Sequence, residues 1–273
     1  MKVKKLNKIV RAKSLAKFLV NIAFMSRGLH YFLPHNAREH TPIPESPMTQ
    51  DSRARPTRVW DLPTRIFHWS LLVCFIALIV TVKLGGNWMV WHFRCGYAVL
   101  ALLLFRIIWG LIGGRWSRFA SFIYAPSTIL AYATGRGKPE HSVGHNPMGA
   151  GLVFAILGIL LLQVASGLFS DDDIAFQGPF AKFVANARVA QATWYHKEIG
   201  ATVLYILVAL HVAVIFYYLY KKKENLLVPM IQGDKQLSVT VEPSRDDAGS
   251  RAVAAMVFAL CMGVVWGLVT LGG

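Results

Sequence analysis

Five apolar runs, each about as long as a bilayer-crossing helix, constrain this chain more than any other feature. Their approximate limits are 66–83, 95–113, 149–168, 199–219 and 252–270. A helix rises 1.5 Å per residue and the hydrocarbon core is about 30 Å thick, so ~20 residues suffice to cross it. Lipid supplies no hydrogen-bond partners, so backbone that faces it must satisfy itself within a helix. The expected fold class is an all-α membrane protein: a transmembrane four-helix bundle plus a fifth C-terminal transmembrane helix. Gly85–Gly86, Gly113–Gly114, Asn146–Pro147 and Gly178–Pro179 mark most of the junctions. The second run carries one internal charge, Arg106, which must snorkel or pair inward.

Charge sets the expected orientation. Lys and Arg number 29 against 14 Asp and Glu, a formal net charge of +15. On a soluble domain this balance would suggest nucleic acid. Here the basic residues flank the apolar runs, so no nucleic-acid partner is expected. Arg53, Arg55, Arg58 and Arg65 lie in the segment before run one. Arg115, Arg118, Arg136 and Lys138 lie between runs two and three, and Lys221–Lys223 follow run four. The positive-inside rule puts these on the cytoplasmic side of the cell inner membrane, with a cytoplasmic N-terminus. The opposite side receives a short loop near Lys83–Trp91 and a longer one, 170–198, that opens on Asp171, Asp172 and Asp173.

Composition divides the chain into a basic, largely disordered extension (1–57), a four-helix domain (58–225), a cytoplasmic linker (226–250) and a C-terminal helix (251–273). The extension contains a weakly amphipathic basic stretch and a Pro-, Ser- and Thr-rich segment. Met48 offers an alternative start. Cys74, Cys95 and Cys261 lie in or beside apolar runs and read as small buried hydrophobes. There is no C-x-x-C-H, so any haem must be held non-covalently.

Nine histidines are present, and four of them lie at the ends of or inside the apolar runs: His68, His92, His196 and His211. Ionisable side chains at membrane depth are costly and mark function. His68 is near the cytoplasmic end of run one. His92 and His196 precede runs two and four on the outer side. His211 follows His196 by fifteen residues, ~22 Å along a helix axis and about 60° around it. The four therefore fall into two pairs at two depths, His68 with His211 and His92 with His196. Pairs of neutral imidazoles suit the axial positions of two b-type haems and leave no open site on the metal, which favours electron transfer. Zinc is disfavoured, since it needs about four ligands around one point. A histidine proton relay is the alternative reading of the same residues.

The stretches VWDLPTRIFHWSL, WHFRCGY, GHNPMGA and WYHKEIGA, with a later Leu210–His211, resemble the bacterial cytochrome b561 family. That family includes the b-type cytochrome subunits of nickel-iron hydrogenases. The resemblance covers roughly 58–225. It implies a four-helix bundle with two haem b groups on the same two histidine pairs. It also implies electron exchange with quinone, with a periplasmic cytochrome or redox-enzyme subunit, or with both. The other partners considered are membrane lipid and a second copy of the chain. A haem-containing anchor for a redox enzyme is a variant of the same reading. The long N-terminal extension and the fifth helix depart from the simplest family pattern.

Arg65, Arg94 and Lys197 flank the histidines and are candidate partners for the anionic carboxylates of haem. His141 and His145 lie in the loop before run three, where His145-Asn146-Pro147 reads as a loop and helix cap. Trp60, Trp69, Trp88, Trp91 and Trp194 fall near the expected membrane faces. Loop 170–198 reads as a docking surface or as a short interfacial helix over the outer site.

Overall fold

The sequence Val59-Trp-Asp-Leu-Pro starts the first membrane helix. Asp61 accepts a hydrogen bond from the Thr64 backbone N–H at 2.8 Å, and Pro63 occupies the first turn, where its missing N–H costs nothing. The computed structural model describes residues 54–272, so the expectations for the basic extension before residue 54 and for Met48 lie outside the described residues. Helix α1 spans Leu62–Leu84. A tight turn with positive φ at Gly85 and Gly86 leads into α2, Met89–Ile112. A short helix α3, Pro126–Ala133, precedes α4, Pro147–Leu168. Asn146 caps α4 by accepting from the Gly149 N–H at 2.8 Å, as its sequence suggests. Helix α5, Asn186–Trp194, passes without a break through a wide π-helical turn, Tyr195–Gly200, into α6, Ala201–Tyr217. After α7, Leu227–Gln232, the chain enters α8, Ala248–Gly272.

Five helical spans are long and apolar enough to cross a membrane, and their cores coincide with the five runs. The protein is a multi-pass helical membrane bundle. Helix α2 is central: Val99, Leu100, Ala101 and Leu103 pack with Leu160 and Val164 of α4, Leu204 of α6 and Val265 of α8. A second cluster joins Phe67 of α1, Leu102, Phe105 and Trp109 of α2, and Ala254 and Cys261 of α8. The fifth helix thus belongs to the bundle. The outer faces stay apolar and open, with Val73 67%, Ile206 62%, Leu260 69% and Trp266 73% exposed. In water such surfaces would aggregate; against acyl chains they cost nothing.

One end of the bundle carries polar structure that composition alone does not reveal. Strand β1, Arg55–Arg58, pairs antiparallel with β2, Asp234–Leu237, in the register Arg55 to Leu237 through Arg58 to Asp234. β1 runs across the boundary expected at 57, and α7 and β2 occupy the segment expected as a linker. The Val59 and Trp60 N–H groups both donate to the Gly233 carbonyl at 3.0 Å. Arg58 bridges Asp234 and Asp246, at 2.6 Å each, and Arg251 meets the other oxygen of Asp246 at 3.0 Å. Beneath this ribbon lies Asp61, fully buried. It accepts from Ser117 Oγ at 2.7 Å, the Gly114 N–H at 3.1 Å and Trp109 Nε1 at 3.3 Å, as well as from Thr64. It therefore ties the start of α1 to the end of α2.

Two predictions follow from this end of the bundle. Asp61→Ala removes a helix cap and strands several buried donors, so it is expected to cost about 3 kcal/mol or more. Thermal unfolding in detergent would read this as a lowered midpoint. Burial alone would raise the Asp246 carboxyl, but donation from Arg251 and the Leu62 N–H and the charges of Arg251 and Arg58 hold it below the ordinary carboxylate value. A depressed native value means that the clamp stabilises fully above the unfolded value near about 3.9 and weakens as pH falls through the native value. Hydrogen-exchange protection factors of the β1–β2 amides, corrected for the intrinsic pH dependence of exchange, should fall across that acid range and stay flat from pH 5 to 7.

Candidate functional site

The two histidine pairs expected from depth come together. His68 of α1 faces His211 of α6 with ring centres 6.3 Å apart and planes at 52°. His92 of α2 faces His196 of the π-helical turn, also at 6.3 Å, with planes at 82°. The first pair lies toward the ribbon end and the second near the opposite end, because α1 and α2 run antiparallel.

A metal–imidazole bond of about 2.0–2.1 Å, plus about 1.1 Å from ring nitrogen to ring centre, puts two rings across one metal ~6.3 Å apart. Both separations match this value. The donor set of each pair is two imidazoles, which fits the two axial positions of a low-spin haem iron.

The outer pair is aimed by backbone. His196 Nδ1 lies 2.8 Å from the Gln163 carbonyl of α4, and His92 Nδ1 lies 3.2 Å from the Leu78 carbonyl of α1. A carbonyl only accepts, so in each ring Nδ1 carries the proton and Nε2 keeps its lone pair for a metal. Gln163 returns the bond: its Nε2 donates to the His196 carbonyl at 2.9 Å. Ser166 Oγ lies 3.3 Å from the same Nδ1. The π-helical turn widens the helix where His196 sits, as such turns do at functional positions. Gly167 makes room for the ring, because a Cβ there would stand 2.8 Å from His196 Cε1. At the inner pair, His68 Nδ1 is buried without a hydrogen-bond partner.

Sequence reasoning missed Gln163 and Gly167. Their signal was available: Gln163 is the one amide inside the run LLLQVASG, and Gly167 follows it by four residues, on the same helix face.

The three flanking cations go different ways. Arg65 is engaged by the ribbon end, donating to the Ile231 carbonyl at 2.6 Å, with Asp246 at 3.8 Å. Arg94 is exposed and lies over the Trp91 ring at 4.8 Å, and Lys197 is exposed beside the outer pair. Trp60 is buried at the ribbon end, and Trp88, Trp91 and Trp194 are exposed. The acidic loop is ordered around Asp172, whose Oδ1 accepts from the backbone N–H groups of Phe176, Ala175 and Ile174 at 2.9 Å each. Those bonds, Phe176's foremost, hold the Asp172 carboxyl below its usual value. Phe176 stacks on Phe93, next to His92, so the loop lies over the outer site. The short helix considered for this loop is α5.

A family model for prokaryotic cytochrome b561 matches residues 59–233, well over half of the chain. Among curated proteins, one described as the probable B-type cytochrome subunit of Ni/Fe-hydrogenase 1 from Escherichia coli (strain K12) is 25% identical over 151 residues. That match covers 45% of this chain and 64% of the relative. A probable Ni/Fe-hydrogenase B-type cytochrome subunit from Azotobacter vinelandii is 24% identical over 192 residues, 57% of this chain and 79% of the relative. The chain thus spans just under two thirds of the Escherichia coli protein's length. No solved structure matches.

Gly167→Val is expected to push the His196 ring away from His92 while sparing the His68–His211 pair. Comparing haem content and spectrum with those of a Gly158→Val control tests this, since a Cβ at Gly158 meets nothing within 4 Å.

Proposed function

The chain belongs to the prokaryotic cytochrome b561 family, and from that premise we propose that it is a di-haem electron-transfer subunit of the cell inner membrane. His68 and His211 would hold the inner haem b, and His92 and His196 the outer one. The observation that carries this reading is the equal 6.3 Å ring separation at two depths of one bundle. Haem supplies reversible one-electron chemistry at iron. The residues supply the rest. The Leu78 and Gln163 carbonyls keep two imidazoles neutral and aimed, the packed core of α2, α4 and α6 excludes water, and the antiparallel helices set the two sites at opposite faces.

By the positive-inside rule, the ribbon end with Arg58, Arg115 and Lys221–Lys223 is cytoplasmic and the acidic loop is periplasmic. The names of the relatives favour a redox enzyme of the hydrogenase class as the partner at one face; quinone, which the family resemblance implies, would be the carrier exchanged within the membrane. The loop over His92, with Asp171–Asp173 and Phe176, is the surface where such a partner would deliver electrons. A haem-containing anchor with little transfer of its own predicts the same sites but slow reduction of quinone.

His211→Ala is expected to remove the inner haem, and His92→Ala the outer one, each leaving the other spectrum largely intact. Redox difference spectra of the two purified variants check this. Loss of both haems from either single change would contradict independent sites.

A further inference from the structure

Arg106 is 3% exposed, on the central helix of a membrane bundle. It lies six residues before the end of α2, and His68 lies six residues after the start of α1. These antiparallel helices are tied together at that end by Asp61. Arg106 and His68 are therefore at one depth, ~9 Å inside the bundle end. One face of the guanidinium is covered by the Phe119 ring at 4.6 Å. Phe119 can come so close because Gly110, one turn further along α2, has no Cβ; any side chain there would collide with the ring.

A buried guanidinium normally has a carboxylate partner, and this one has none. Arg106 forms no ion pair among the described residues, and its Nη1 is buried without a hydrogen-bond partner. Asp61 adds an attractive field from beyond ion-pair distance, but its oxygens are already taken by Thr64, Ser117, Gly114 and Trp109. A buried cation with no ion-pair partner is costly by desolvation, which a distant carboxylate and an aromatic face offset only in part, so the site favours an anion brought in from outside the chain. A second orphan lies beside it. His145 is packed against Trp60 at 4.8 Å and Phe122 at 4.4 Å, with Nδ1 buried and unpartnered, and its electrostatic neighbours are Arg106, His211 and His68.

We infer that Arg106, with His145 as a second donor, receives a carboxylate of the group held between His68 and His211. Arg65, the nearer cation in sequence, already donates to the Ile231 carbonyl at 2.6 Å and faces Asp246 at 3.8 Å, with only its Nε left unpartnered. Arg106 is then a positioning residue: it anchors the edge of the inner group, and its fixed positive charge favours the reduced state there. The cations flanking the outer pair in sequence, Arg94 and Lys197, are exposed, so the two sites should differ in potential. This inference rests on the di-haem reading.

The test uses the full chain carrying R106Q or R106K, with haem per chain and the midpoint potential of each haem measured by redox titration. R106Q should lower the midpoint potential of the inner haem, leave the outer haem unchanged and weaken retention of the inner haem roughly tenfold or more. R106K should restore much of the potential, since it keeps the charge. A wild-type inner potential and retention in R106Q would overturn the inference. If R106Q yields no folded protein, wild-type apoprotein reconstituted with haem dimethyl ester decides. The inner site should take up the ester more weakly than haem, and equal uptake would overturn the inference. Failure of the wild-type chain to hold two haems would instead sink the underlying reading.

Discussion

The buried carboxylate of Asp61 fixes the geometry on which the rest depends. It caps α1 and accepts from Trp109 near the end of α2, and from Gly114 and Ser117 just beyond it. Two apolar helices in lipid have little to prevent them from sliding, since their side chains are as comfortable against acyl chains as against each other. A polar knot at one end supplies the missing register. With α1 and α2 so fixed, His68 and Arg106 share one level and His92 lies near the other end. The same knot sits beneath the β1–β2 ribbon, so a polar cap is built over the end of the bundle that holds the His68–His211 pair.

The two sites are built differently. At the outer one, backbone carbonyls orient both rings, and a π-helical turn, a reciprocal Gln163–His196 hydrogen-bond pair and a missing Cβ at Gly167 fix the second ligand. At the inner one, the nitrogens are left unpartnered: His68 Nδ1, His145 Nδ1 and Arg106 Nη1 are all buried and unsatisfied by protein. Buried polar atoms are seldom left alone in a native fold. Three of the five such atoms among the described residues cluster at this level, where a group from outside the chain would complete them; Arg65 Nε and, beside the outer pair, Gln163 Oε1 are the other two.

The membrane helices were legible because lipid imposes one rule, a run of ~20 apolar residues, and local sequence suffices to meet it. The histidine pairing was legible for a related reason. In an antiparallel bundle, depth follows from position along the run, so His211 meets His68 even though 143 residues separate them. The ribbon was not legible. Arg55–Arg58 and Asp234–Leu237 are short and polar, and their pairing rests on contacts between distant segments rather than on any local pattern. Asp61, Gln163 and Arg106 were each visible as polar residues in or beside apolar runs, but their partners were not. The expectation that Arg65 pairs with a haem carboxylate used sequence proximity to His68, which cannot tell that Ile231 and Asp246 also face its guanidinium.

The most direct test of the account is a reduced-minus-oxidised absorption spectrum of the purified full chain, with haem quantified per chain. The account predicts a low-spin b-type spectrum at two haems per chain, resolved into two components on potentiometric titration. A folded chain that holds no haem, or one whose single haem survives loss of His68 and His92 alike, would contradict it.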